Sequence, residues 1–223
     1  MKHIITHMKL LVIIATHKMN YRLRGNIIKL DFLLREEGHI VDYAGISSVD
    51  DFAIYEDIIQ FKYKEVNPKY QLTKVCNFIE KNKATFVYDW FIKFRPEIHL
   101  VKLFDFNTLN PMCINARVRM YTGPKSIPYG MSIELPTILS ETESFVEMDD
   151  QIYIFHKNLI DAGGFSQIEA YNNILHIEHE PVHTAFWNER GIPFNIISIH
   201  ALFMRDPCVI SFKSGHINYP LIQ

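Results

Sequence analysis

The stretch that most constrains this chain is TFVYDWFIKFRPEIHL, Thr85 to Leu100. Phe86, Val87, Tyr88, Trp90, Phe91, Ile92 and Phe94 crowd into its first part. A run that short and that apolar reads as a strand buried on both faces, the central strand of an α/β sheet. Its last residues change character. Lys93, Arg95 and Glu97 share one parity, so an extended chain points them the same way. Pro96 has no N–H for a ladder, so the strand stops about there. A buried strand thus delivers a cation and a carboxylate to its carboxyl end, which is where open α/β sheets bind ligands.

The preceding sequence supplies neighbours for that strand. Leu10 to Thr16 (LLVIIAT) reads as a first buried strand. Asn20 to Glu37 follows as a helix with Leu23, Ile27, Leu30 and Leu34 on one face, closed by Gly38. His39 to Gly45 makes a second strand, so the chain opens as a βαβ unit. The loop THKMNYRLRG between strand and helix lacks G-x-G-x-x-G, which argues against a dinucleotide-type phosphate cradle. Its Thr16, His17, Asn20 and Arg22 can still meet a nucleotide's base, ribose or phosphate; an ordinary βα turn would hold the same residues. Ile58 to Val66 alternates as a third, more exposed strand. Asn67-Pro68 starts a second helix, with Leu72, Val75, Cys76 and Ile79 buried and Gln71 and Lys74 on or beside the exposed side.

At 223 residues, 48% hydrophobic and 13% aromatic, the chain is long and apolar enough for one globular domain with a sizeable core. A net charge of -2 gives no strong field for nucleic acid or a membrane surface. Three widely spaced cysteines argue against a disulfide framework and for a reducing, cytoplasmic setting. The longest N-terminal apolar run, Leu10 to Ala15, is too short to span a bilayer, and no small-residue cleavage site follows it. Residues 1–8 read as a short leader or as native sequence, since Met8 serves equally well as a start.

From Asp105 to about Glu147 the pattern weakens into Pro-, Gly- and Ser-rich sequence, read as an irregular active-site region. Its Arg117, Arg119 and Lys125 can hold an anion or face solvent. Order returns with Gln151 to Phe155 as a short strand and His156 to Ala162 as a short helix stopped by Gly163-Gly164. Asp149 and Asp150 sit just before that strand. Two acids at a strand mouth suit a metal ligand or a general base, although aspartates are also common in turns.

His179-Glu180-Pro181-Val182-His183 matches H-E-x-x-H, the zinc-protease pattern, which needs both histidines on one helical face. A proline inside a helix costs about 3 kcal/mol, so the helix is expected to begin at Pro181 and to end at Gly191. That would take His179 and His183 off a common turn. Phe194 to Ile199 reads as a last buried strand, followed by His200 and, in the tail, His216.

Three blocks, in order, resemble small glycosyltransferases of the glycosyltransferase-A fold from large DNA viruses, chlorella viruses among them, and bacterial polysaccharide loci. They are Gln71-x-x-Lys74 leading into YDWFIKFRPEI, DDQIYIF followed by a short helix and GGF, and HEPVHTAFWNERGIPF. The resemblance spans about Leu10 to Arg205. It implies a single-domain α/β/α sandwich with a mixed, mainly parallel central sheet. It also implies transfer of a hexosyl or deoxyhexosyl group from a UDP- or GDP-linked donor to a glycan or similar hydroxyl acceptor, with Mn²⁺ or Mg²⁺. The family's strand ends Arg-Pro-Asp in place of a D-x-D motif; here Glu97 stands where Asp is more usual. On this reading Glu97 and His200 ligate the metal, with His216 a further candidate. Thr16, His17, Arg22, Lys74, Arg95, Glu97 and Glu180 face the donor. Asp149 or Asp150 serves as base if the anomeric centre inverts; if it is retained, the two acids orient acceptor or metal. Glu180 can instead cap the helix that follows it. Two other readings stand beside this one: a zinc hydrolase using His179, Glu180 and His183, and a non-catalytic nucleotide- or sugar-binding module.

Overall fold

The computed structural model describes residues 7–16, 23–47, 52–64, 71–122, 131–133, 144–168, 179–206 and 209–210. Its strands are β1 (Lys9–Ala15), β2 (Ile40–Ser47), β3 (Phe61–Lys64), β4 (Trp90–Phe94), β5 (Ile98–Leu100), β6 (Ile114–Thr122), β7 (Met131–Ile133), β8 (Ser144–His156), β9 (Phe194–Ile196), β10 (Ala201–Asp206) and β11 (Val209–Ile210). Its helices are α1 (Arg24–Glu36), α2 (Gln71–Asn82), α3 (Lys157–Asp161) and α4 (His179–Asn188). The main sheet runs β3-β2-β1-β4-β8-β6-β7, with β9 also on β6; β11-β10-β5 form a second, small sheet. The β3, β2, β1 and β4 pairs are parallel, whereas β8 is antiparallel to both β4 and β6. The result is the α/β fold with a mixed, mainly parallel sheet.

β4 lies in the middle of this order, paired with β1 on one side and β8 on the other. All five of its residues are buried. Strand parity divides them between two cores. Trp90, Ile92 and Phe94 pack with Leu10, Val12, Ile14 and the α1 face of Ile27, Leu30 and Leu34. Phe91 packs on the other face with Leu11, Ile13, Tyr153, Phe155, the α2 residues Leu72, Val75 and Ile79, and Trp187 of α4. Each fully buried aliphatic or aromatic side chain contributes on the order of 1.5–3 kcal/mol, so the sheet is fixed between its helix layers from both faces.

Several boundaries differ from the sequence expectation. The apolar run does not form one strand from residue 86: Lys83–Thr85 make a 3-10 turn and Val87 is exposed, and the chain joins the sheet only where Asp89 N–H donates to Lys9 O at 2.9 Å. Phe86 and Tyr88 instead extend an aromatic cluster with Phe78 and Phe91. The third strand is only Phe61–Lys64 within the described residues. The stretch from 105 to 147 contains β6, β7 and the start of β8. Asp149 and Asp150 therefore lie inside a 13-residue strand, not ahead of a short one. The start expected at Asn67-Pro68 falls outside the described residues.

Gly38 and Gly163 take φ of 85° and 77°, which suits glycine and ends α1 and α3 where the sequence predicted. Gly164 is constrained by space. A Cβ there would stand 2.8 Å from Leu159 O and 2.9 Å from Ile192 Cδ1. Gly164→Ala is expected to cost about 1–3 kcal/mol, read as a fall of several degrees in melting temperature; an unchanged melting temperature would refute the close approach.

Candidate functional site

The carboxyl ends of β1 and β4 bring together Lys74, Lys93, Arg117, Asp149 and Asp150, buried charged side chains among the described residues. Thr16 follows β1, where its N–H donates to Ile46 O at 3.1 Å. Its carbonyl accepts from Lys74 Nζ at 3.0 Å. Lys74 is wholly buried and Gln71 nearly so, which corrects their expected place on the exposed side of the helix. The reason is that α2 packs against the ends of β1 and β2, so the lysine turns inward to the end of β1.

Beyond Phe94 the chain turns at once, with Ile98 N–H donating to Arg95 O at 3.0 Å. Arg95 and Glu97 are thus brought together by a turn and not by extended parity. Arg95 Nη2 lies 3.5 Å from Glu97 Oε1, and Arg95 Nη1 lies 3.5 Å from Asp150 Oδ2. One guanidinium is bracketed by two carboxylates. The other Glu97 oxygen, Oε2, is buried and has no hydrogen-bond partner among the described residues.

The acids owe their position to a break in the β6–β8 ladder. Ala116 pairs with Tyr153 and Val118 with Met148, so residues 149–152 stand opposite Arg117 alone. Bulges of this kind re-aim side chains and recur beside active sites. Arg117 fills the gap. It is buried, forms a close ion pair with Asp149, and lies 3.5 Å from Gln151 Oε1 and from Ile199 O. Asp149 Oδ1 accepts the N–H of Gln151 at 3.0 Å. Both Asp149 oxygens are therefore engaged within the protein, while Asp150 turns its carboxylate to Arg95. The segment is anchored from outside the sheet as well, where Met148 N–H donates to Thr184 Oγ1 of α4 at 3.0 Å.

Under the acids lies Lys93, wholly buried, with Nζ donating to Asp150 O and standing 5.6 Å from the centre of the Tyr153 ring. Burial pushes its ammonium down to about 8 from 10.5, Arg95 pushes the same way, and the nearby Asp150, Asp149 and Glu97 charges hold it up.

His183 packs among aromatic rings. It is buried, with its ring 5.9 Å from Tyr153 and 5.8 Å from Trp187. The helix includes His179, contrary to the expected start at Pro181, so His179 and His183 do share it. Glu180 belongs to the same helix. Among the described residues no group of three or more His, Cys, Asp and Glu is placed to hold a metal ion. His200 is half-buried, with Nε2 3.0 Å from Ser198 Oγ, and its carbonyl accepts from Val101 N–H. Because Leu100 pairs with Ala201 and Ile98 with Phe203, Glu97 and His200 lie at opposite ends of the β5–β10 ladder. His17, Asn20, Arg22, Lys125 and His216 lie outside the described residues.

Sequence reasoning left Arg117 as one of three cations facing an anion or solvent, and gave no role to Gln151. No period or motif marks either; only the cross-strand register of β6 and β8 brings them to the acids. Lys93 did carry a signal, a lysine inside an otherwise apolar run.

No protein-family model matches the sequence, and no curated protein matches it. Solved structures similar to it include a nucleoside-diphosphate-sugar pyrophosphorylase from Vibrio cholerae RC9, at 13% identity and a TM-score of 0.49 over 90% of this chain and 97% of that one. A glycosyltransferase involved in the glycosylation of the major capsid of PBCV-1 is similar at 10% identity and a TM-score of 0.44, over 85% of this chain and 80% of that one. A 2-C-methyl-D-erythritol 4-phosphate cytidylyltransferase from Francisella tularensis is similar at 11% identity and a TM-score of 0.47, over 85% and 89%. These are likenesses of architecture. Among the described residues no helix is long and apolar enough to cross a membrane.

Proposed function

We propose that this protein is a glycosyltransferase that moves a sugar from a nucleoside-diphosphate donor to a hydroxyl acceptor. The observation that carries the reading is the mouth of β1 and β4, where Arg95 sits between Glu97 and Asp150 and Lys74 closes the end of β1. The resemblance of the FRPE block to glycosyltransferases of large DNA viruses and bacterial polysaccharide loci points the same way.

The roles follow from chemistry and position. The leaving nucleoside diphosphate develops negative charge that fixed cations stabilise in a site shielded from water. Arg95 is placed for that task, and Lys74 orders the neighbouring end of β1. A divalent cation with oxygen ligands, Mn²⁺ or Mg²⁺, would add charge neutralisation at the diphosphate. Glu97 fits such a cation, because its buried Oε2 is a carboxylate oxygen without a partner among the described residues. Asp150 is the acid suited to take the proton of an acceptor hydroxyl, since Asp149 is held by Arg117 and Gln151.

Calorimetry with UDP and GDP, each with and without Mn²⁺, tests the reading. The native chain is expected to bind one of them more tightly with metal, and Glu97→Ala to lose at least tenfold of the metal-dependent affinity. Absence of binding to either nucleotide with metal would remove the assignment.

A further inference from the structure

Building on the glycosyl-transfer reading, we propose that Lys93 is a positioning residue for Asp150, holding that acid's main-chain carbonyl from inside the core and so fixing the direction of its carboxylate. A lysine is almost never wholly buried without a partner, and taking its charge out of water costs several kcal/mol. An apolar side chain between Ile13 and Tyr153, its neighbours across β4, would pack there at no such cost.

The bulge supplies the reason for the lysine. Arg117 alone stands opposite residues 149–152, so the regular ladder cannot serve every carbonyl on that edge. Lys93 Nζ donates to the carbonyl of Asp150. Two residues on, Arg95 reaches the carboxylate of the same aspartate at 3.5 Å. The two cations of Lys93-Phe94-Arg95 therefore grip Asp150 at both ends, main chain from below and side chain from the mouth. The charges facing the ammonium are those of Asp150, Arg95, Asp149 and Glu97, and the Tyr153 ring lies over it.

The test reads Asp150 directly. Aspartate carboxyl carbons are labelled with ¹³C, and the Asp150 resonance is assigned by its loss in Asp150→Asn. In the native chain that resonance is expected to step as pH passes through about 8, where Lys93 loses its proton. In Lys93→Met the step disappears and the resonance moves. In Lys93→Gln, which keeps a neutral donor, the step also disappears while the resonance stays closer to its native position. A native resonance that shows no step, or a step that persists in Lys93→Met or Lys93→Gln, would overturn the proposal. Should Lys93→Met not fold, the native titration and Lys93→Gln decide it. The measurement needs no substrate: failure of UDP and GDP to bind would remove the functional reading and leave the coupling of Lys93 to Asp150 to stand or fall on this resonance.

Discussion

Arg117→Met is expected to destabilise the fold by about 3–5 kcal/mol, a fall on the order of 10 °C in melting temperature. The guanidinium is buried, and so is its partner Asp149. Removing it leaves a carboxylate without its counter-charge inside the protein, and the same substitution empties the gap left by the bulge. The large term is the stranded charge and not the lost attraction. Arg117→Met combined with Asp149→Leu is therefore expected to recover much of the loss, because apolar replacement of both members of a buried pair is often neutral. A double-mutant cycle by urea unfolding measures the coupling. Additive losses would show that Arg117 and Asp149 do not act as a pair.

Asp150→Asn is expected to leave the fold and nucleotide affinity near native and to lower turnover by about 10²–10⁴, the usual contribution of a general base. The two neighbouring aspartates should separate cleanly. Asp149 has one oxygen on Arg117 and the other on the Gln151 N–H, so its loss registers chiefly as instability. Asp150 has a carboxylate oxygen 3.5 Å from Arg95, a longer contact than the Arg117–Asp149 pair, and is the acid proposed to take the acceptor hydroxyl's proton. Turnover of the cognate nucleotide sugar by both variants, set against their melting temperatures, checks the division. An Asp150→Asn protein with native turnover would exclude this aspartate as the base.

The backbone plan was readable because its signals are local. Apolar runs marked β1 and β4, a 3.6-residue period marked α1, and glycines marked the ends of α1 and α3. What the sequence hid are consequences of pairing. Lys74 looked like a surface residue because helical period places it beside the polar face; the packing of α2 over the end of β1 reverses that. Asp149 and Asp150 were expected ahead of a short strand because nothing in the preceding sequence announces β6, the strand whose pairing lets β8 begin so early. Arg95 and Glu97 were recognised together for a reason that does not hold. Parity was expected to align them, and the turn at Pro96 does so instead.

The shared edge of β6 bears on how the chain folds as it is made. Ile114–Ala116 pair with Phe194–Ile196, segments 80 residues apart in sequence, whereas the other end of β6 pairs with the nearby β7. Loop closure over such a separation is slow relative to local pairing. During synthesis the β1–β4 half can assemble while the Ile114 edge still lacks its parallel partner. An unpaired edge beside buried apolar side chains is a template for association with other chains. Chains halted before residue 194 should therefore aggregate through β6, and β9, once it emerges, acts as the seal on that edge.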